Sequence, residues 1–369
     1  MMPKAENAFV ITNPMIAANK SAEVTLSKFL RVIEPCYEKL TVIGGNLSVE
    51  PDLSDVELVS FDILRAGNKI KRAFDIIRVQ FKMCRAVKRL IKKNDPVFFW
   101  IGDKMILPYR AVKKMGAEIN YFIYGNVAKE GNISKFTQLS SNLIQYMAEH
   151  AEYVCMESKS VVDEWAGLSA GKIRVIHLYT DNIEMNPFEN REKIIGMLCR
   201  LTAGKHVLES IEAFAKVHEK YPEWKLEIIG SGRQQQECEQ LIRELNAGEY
   251  IKLLGWVDHN GIVEKSKKWK YLIFPTDTEG MPNGLLEMMA RGIPAIASSV
   301  GGIKDLVRDR ENGFVLKDCT TKTIADSLTE IICMNEESYK KCSEEAFNTV
   351  CKEYSFAGAQ DNAGVILGV

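Results

Sequence analysis

Residues 274–298 read FPTDTEGMPNGLLEMMARGIPAIAS. One apolar run, Tyr271–Phe274, leads in, and a second, Ala295–Ser298, leads out. Both have the length and continuity of strands buried on the two faces of a parallel sheet. The loop between them holds Glu279, Gly280, Met281, Pro282, Asn283 and Gly284. A helix of about eight residues follows, stopped by Gly292 and Pro294. Glu287 falls near the start of that helix, where the dipole favours a carboxylate. The helix start carries unpaired N–H groups, and two glycines let a ligand approach the backbone closely. Such an entrance suits anionic phosphate oxygens.

The same alternation runs through the chain. Ala8–Thr12, Lys39–Gly44, Glu57–Ser60, Val97–Ile101, Ile119–Ile123, Tyr153–Met156 and Arg174–His177 read as strands. Ser21–Ile33, Ala66–Lys92, Leu107–Lys114 and Gln138–Glu149 read as the helices between them. After the polar stretch Asp181–Arg191 the pattern restarts with strand Lys193–Leu198 and helix Val207–Lys220, the latter stopped by Tyr221-Pro222. Strand Trp224–Ile229, helix Gln234–Leu245 and strand Ile251–Leu254 follow. A repeated β-α-β alternation predicts two Rossmann-like doubly wound α/β domains facing a cleft. The expected domains are 1–182 and 183–352, with 353–369 packing back on the first. A cleft between domains is the default ligand site.

Composition narrows the function. The chain has 369 residues, 46% hydrophobic, which suffices for two buried cores and excludes a disordered chain. With 48 Lys+Arg against 49 Asp+Glu, no basic excess marks a nucleic-acid partner. No apolar run approaches the ~18 residues that span a bilayer, and the N-terminal stretch lacks the features of a signal peptide. Nine Cys form no CxxC and the five His are dispersed, which predicts reduced thiols in a cytoplasmic protein, no protein-built metal site and no cofactor, with aqueous Mg²⁺ carried on a ligand left open.

Two carboxylates eight residues apart, Glu279 in the loop and Glu287 on the helix, can grip different parts of one ligand. Glu287 suits vicinal ribose hydroxyls, as an acidic residue does in dinucleotide folds, and Glu279 suits sugar hydroxyls. The plainer alternative makes Glu279 a solvated loop residue and Glu287 a helix-start charge. Arg200 and Lys205, five residues apart, can meet the negative charge that develops when a sugar–diphosphate bond breaks. Gly230-Ser231-Gly232 ends a strand, but a GxGxxG fingerprint would need Gly where Gln235 stands, which disfavours NAD.

Glu279 and Glu287 with GMPN between them, followed by LLEMMARGIP, resemble the E-x7-E motif of glycosyltransferase family 4. Met197–Lys205 (MLCRLTAGK), Glu227–Gly232 (EIIGSG), Ile251–Val257 (IKLLGWV), Val300-Gly301-Gly302 and Asn312-Gly313 resemble family segments in the same order. The wording EGMPN…LLEMMA resembles bacterial enzymes of surface-polysaccharide synthesis. The resemblance implies the GT-B fold and retaining, metal-independent transfer from a nucleotide-diphosphate sugar to a saccharide or lipid-linked acceptor. It implies Arg200 and Lys205 on the diphosphate and Glu279 on the donor sugar as the catalytic set. Glu287 would take the ribose, with Gly280, Met281, Asn283, Gly284, Gly230 and Val257 as further donor contacts. A nucleotide-sugar epimerase of the same fold and a silent nucleotide-sugar-binding module are the competing readings.

The first half departs from the family pattern. Ile11–Ala18 (ITNPMIAA) has no glycine where members commonly carry a Gly-rich turn, and Tyr124 stands where they often carry a His near the donor. Residues 65–93 hold eleven bases against one acid, Asp75, while Ile70, Phe74, Ile77, Phe81, Cys84, Val87 and Ile91 mark one apolar face. A basic amphipathic helix of this kind suits an anionic membrane surface, which would place the protein on the inner face of the membrane. Alternatively, its apolar face packs on the first sheet and the bases are solvated.

Overall fold

The computed structural model describes residues 5–13, 20–63, 69–101, 105–123, 135–162 and 170–368, without the side chains of 5, 20–22, 69–73, 135–140, 162 and 170. The first half runs β1 (Ala5–Thr12), α1 (Lys20–Ile33), β2 (Tyr37–Gly45), β3 (Glu57–Phe61), α2 (Lys69–Leu90), β4 (Pro96–Trp100) and α3 (Ile106–Met115). It continues through β5 (Glu118–Phe122), α4 (Lys135–His150), β6 (Tyr153–Met156), α5 (Lys159–Val162) and β7 (Ile173–Val175). These seven strands form one sheet in the order β3-β2-β1-β4-β5-β6-β7, with every pairing parallel.

The second half runs β8 (Ile194–Leu198), α6 (Val207–His218), β9 (Lys225–Ile229), α7 (Gln235–Glu244), β10 (Ile251–Gly255), α8 (His259–Ser266) and β11 (Tyr271–Phe274). Then come α9 (Asn283–Met289), β12 (Ala295–Ser298), α10 (Ile303–Leu306), β13 (Gly313–Leu316), α11 (Thr321–Ile332) and α12 (Glu336–Glu353). Its sheet has the order β10-β9-β8-β11-β12-β13, again all parallel. Both sheets therefore start in the middle, wind to one edge, and cross back over the first strand. That is the doubly wound order.

Strand pleating explains why both faces are covered. Neighbours on a strand point to opposite faces, and here they enter different cores. Ile11, Phe99 and Tyr121 pack with Val79, Met83, Tyr109 and Val112 of α2 and α3. Val10, Phe98 and Phe122 pack with Leu26, Phe29 and Leu30 of α1. In the second sheet Ile195, Ile228 and Ile273 face one core, while Ile194, Ile229 and Leu272 face the other.

The chain divides into two compact units, one ending at Tyr179 and resuming at Ala359, the other Thr180–Gly358. The borders expected at 182/183 and 353 are thus moved by a few residues, and hydrogen bonds show why. Thr180 N–H donates to the Tyr354 carbonyl at 2.9 Å, which ties both to the second unit. In α13 (Phe356–Leu367), Asn362 accepts from the His177 N–H at 3.1 Å, and Ala359 and Ala363 enter the first domain's core.

The helix within residues 65–93 also differs from expectation. Its buried face is Val79, Met83, Ala86, Val87 and Ile91, whereas Phe74, Ile77 and Phe81 are exposed. Two apolar stripes that look like one in sequence are separated by the sheet, which takes only the second.

Candidate functional site

In a doubly wound sheet the strand order reverses at one place, and the crevice outside the strand ends there is where ligands bind. In the second domain that place lies between β8 and β11. A cavity of about 530 Å³ opens there, lined by residues following β8, β9, β10 and β11 and by the start of α9. Among its walls are Arg200, Lys205, Gly230, Val257, Glu279, Asn283, Gly284 and Glu287. Residues from four separate segments thus meet in one hollow.

The centre of the cavity is an ion pair. Lys205 Nζ donates to Glu279 Oε1 and, at 2.9 Å, to the hydroxyl of Thr276. The ammonium also lies 5.8 Å from the centre of the Phe274 ring. Both side chains are mostly shielded, at 14% and 20% exposure, so water screens the pair less than it would on the surface. The segments carrying them are pinned together. Asp277 N–H donates to the Gly204 carbonyl at 3.0 Å, and His206 Nε2 lies 2.7 Å from Asp277 Oδ1. Arg200, by contrast, is exposed and has no carboxylate partner among the described residues.

Two glycines shape the walls. Gly230 has φ +143, and a Cβ there would stand 1.8 Å from the Cys199 carbonyl oxygen. Its N–H donates to the Gly255 carbonyl at 2.8 Å, which joins the ends of β9 and β10 beside β8. Gly301 has φ +47, and a Cβ there would meet the Glu279 carbonyl oxygen at 1.7 Å. Only glycine permits these approaches, and the second one fixes the loop that carries Glu279. Burial pushes the neighbouring Cys199 thiol up to about 12, so it stays protonated and is no nucleophile at neutral pH.

At the far end, Glu287 Oε2 lies 3.7 Å from His259 Nδ1. Trp256, 75% exposed, offers a bare indole face at the rim. Glu287 is the fifth residue of α9, a helix with no acid in its first turn. The expected dipole contribution to Glu287 therefore does not hold; the side chain is placed by its direction into the cavity. Gly280 and Met281 are not in the lining either. The Gly280 carbonyl accepts from Gly302 N–H at 2.7 Å, and Met281 packs against the core below α9. Tyr124 lies outside the described residues.

Thr276 and His259 escaped the sequence reading. Thr276 sits just past a strand, with nothing in its spacing to mark it. His259 was recoverable, because Asp258 is an N-cap accepting from Gly261 N–H at 2.8 Å and so announces α8. Among the described residues no group of three or more His, Cys, Asp or Glu is arranged to hold a metal ion. No described helix is long and apolar enough to cross a membrane.

Comparison with known proteins bears on the fold. Residues 180–349 match the family described as Glycosyl transferases group 1. An uncharacterized glycosyltransferase of Haemophilus influenzae is 28% identical over 82% of this chain and 83% of its own length. An exopolysaccharide phosphotransferase of Streptomyces coelicolor is 30% identical over 46% of this chain, which spans only 18% of that protein. The crystal structure of HepE from Anabaena in complex with UDP superposes with a TM-score of 0.77 at 15% identity, covering 98% of this chain and 99% of that one. The fold is that of the GT-B glycosyltransferases, and the sequence likeness supports a glycosyltransferase.

Proposed function

We propose that the chain is a retaining glycosyltransferase of the family 4 type, moving a sugar from a nucleotide-diphosphate sugar to a saccharide or lipid-linked acceptor in cell-surface polysaccharide or glycolipid synthesis. The observation that carries the reading is the convergence of Arg200, Lys205, Glu279 and Glu287 on one cavity at the switch point of the second sheet. Arg200 and Lys205 receive the diphosphate, and their fixed positive charge stabilises the oxygen that leaves with it. Arriving phosphate takes over from Glu279 as counterion to Lys205, which turns the Glu279 lone pairs to the sugar hydroxyls. Glu287 accepts from the ribose, and the Trp256 face stacks on the base.

Both carboxylates of the cavity lie beside cationic or imidazole partners, which suits neither as a free general base. The reading therefore gives the acceptor proton to the leaving phosphate oxygen on the same face of the sugar, and the anomeric configuration is kept. No metal takes part, because the two basic side chains supply the positive charge.

Binding of UDP to HepE makes UDP and its sugars the first probes. Thermal unfolding of the chain should shift upward with UDP, GDP or ADP, or with one of their sugar conjugates. A ligand at 100 times its Kd adds about 2.7 kcal/mol. No shift with any of them would remove the reading. A product with inverted anomeric configuration, seen by NMR, would remove only its retaining part.

A further inference from the structure

We infer that the outward face of α2 docks the first domain on an anionic lipid bilayer. The observations are independent of the activity proposed above. Phe74, Ile77 and Phe81 recur at i, i+3 and i+7 and so share one side of the helix. They are 70%, 48% and 59% exposed. Large apolar side chains at this spacing ordinarily turn inward, but the inward side of α2 is already filled. Val79, Met83, Ala86 and Val87 occupy it, and Gln80 accepts from the Leu107 N–H at 3.3 Å.

The bases stand beside this stripe. Arg78, Lys82, Arg85 and Arg89 recur at i, i+4, i+7 and i+11 along the adjoining edge, all exposed, and Lys88 follows on the line of Phe81. Asp75 is the only acid on the helix, and it is spent on Arg78 at 3.2 Å. Glu57 of β3 pairs with Lys39 at 2.7 Å, and the charge of Arg89 helps hold its carboxyl below the usual range. Lys82, Arg85 and Lys88 have no acidic partner among the described residues. In a chain with net charge −1, this density of positive charge is a local construction.

A surface that presents aromatic side chains next to uncompensated bases is complementary to a bilayer with anionic headgroups. The bases meet phosphate, and the apolar stripe enters the boundary beneath it. A protein partner would need acids arrayed against the basic edge as well as a cover for three apolar side chains. The lipid surface supplies both at once.

The test is sedimentation of the full chain with vesicles of phosphatidylglycerol and phosphatidylcholine, compared with phosphatidylcholine alone. The expected result is binding to the anionic vesicles only, with the bound-to-free ratio falling at least ~tenfold between ~0.05 M and ~0.5 M salt. Phe74→Ser/Phe81→Ser should weaken binding about tenfold while leaving its salt dependence in place. Lys82→Glu/Arg85→Glu/Lys88→Glu should abolish it. These side chains are exposed, so unchanged thermal unfolding shows that each variant is folded. Failure of the wild-type chain to bind anionic vesicles at low salt would overturn the inference, as would equal binding by all variants. Self-association lost in Phe74→Ser/Phe81→Ser, without vesicle binding, would assign the face to a second copy instead. Preference for single-stranded RNA over vesicles would overturn it too.

Discussion

The two domains share one strand order, yet the described side chains around their middle strands differ. In the second, β8 and β11 end in charged side chains that meet over a hollow. In the first, Trp100 ending β4 and Phe122 ending β5 turn their rings into the core packed on α1. Phe29 stacks on Trp100 at 4.1 Å and meets Phe122 edge-on at 4.9 Å, and all three are buried. The shared topology thus carries a polar hollow in the second domain and, among the described residues, an aromatic core beside the middle strands of the first. The second domain's cavity residues should matter for turnover, and Glu157 of the first domain for stability.

The largest effect that would sharpen this contrast is at the ion pair. Lys205→Ala should lower turnover by 10²–10³, about 3–4 kcal/mol in the barrier, with the melting temperature nearly unchanged. Steady-state kinetics beside a melting curve checks both halves, and a loss of stability without loss of turnover would break the distinction. Next comes the wall beneath it. Gly230→Ala forces a Cβ against the Cys199 carbonyl and should destabilise the second domain by about 3 kcal/mol, seen in denaturant unfolding.

Glu157, just past β6, probes the first domain. Burial pushes its carboxyl from 4.5 up to about 7. Below pH 4.5 both folded and unfolded chains hold the proton, and the stability it confers is complete. Between 4.5 and 7 the unfolded chain releases the proton first, so stability falls as pH rises. The total is about 2 kcal/mol once the partly wet side chain is allowed for. Glu157→Gln should flatten this slope and raise the melting temperature at pH 8, with turnover unaffected. The smallest effect expected is at Glu287. Glu287→Gln should raise KM for the donor about tenfold, about 1.4 kcal/mol, with little change in kcat.

Strands buried on both faces were legible because nothing competes with a continuous apolar run. Tyr153–Met156, Tyr271–Phe274 and Ala295–Ser298 occupy the residues read for them. The helices after Leu316 were not read, although Thr320 caps α11 by accepting from Thr323 N–H and Asn335 caps α12 from Ser338 N–H. Their polar faces thin the apolar signal below what periodicity alone can carry. The site was legible where one segment held several of its residues, as in 279–287. Thr276 and the His206–Asp277 contact were not, because they arise from segments 71 residues apart that meet only in the fold. The α2 helix shows a third limit. Spacing reveals that apolar residues share a side, but only the sheet determines which of two neighbouring stripes it takes.

The placement of α13 bears on the order in which the protein is made. Ala359 and Ala363 belong to the core that β1 and α1 begin, and Asn362 caps a backbone N–H 185 residues earlier. A ribosome must therefore complete the whole second domain before the first can close. Until then the domain synthesised first waits with its core open, and the domain synthesised later is free to fold ahead of it. Chains ending at Gly358 and released from the ribosome should accordingly show the first domain cut by protease while the second resists.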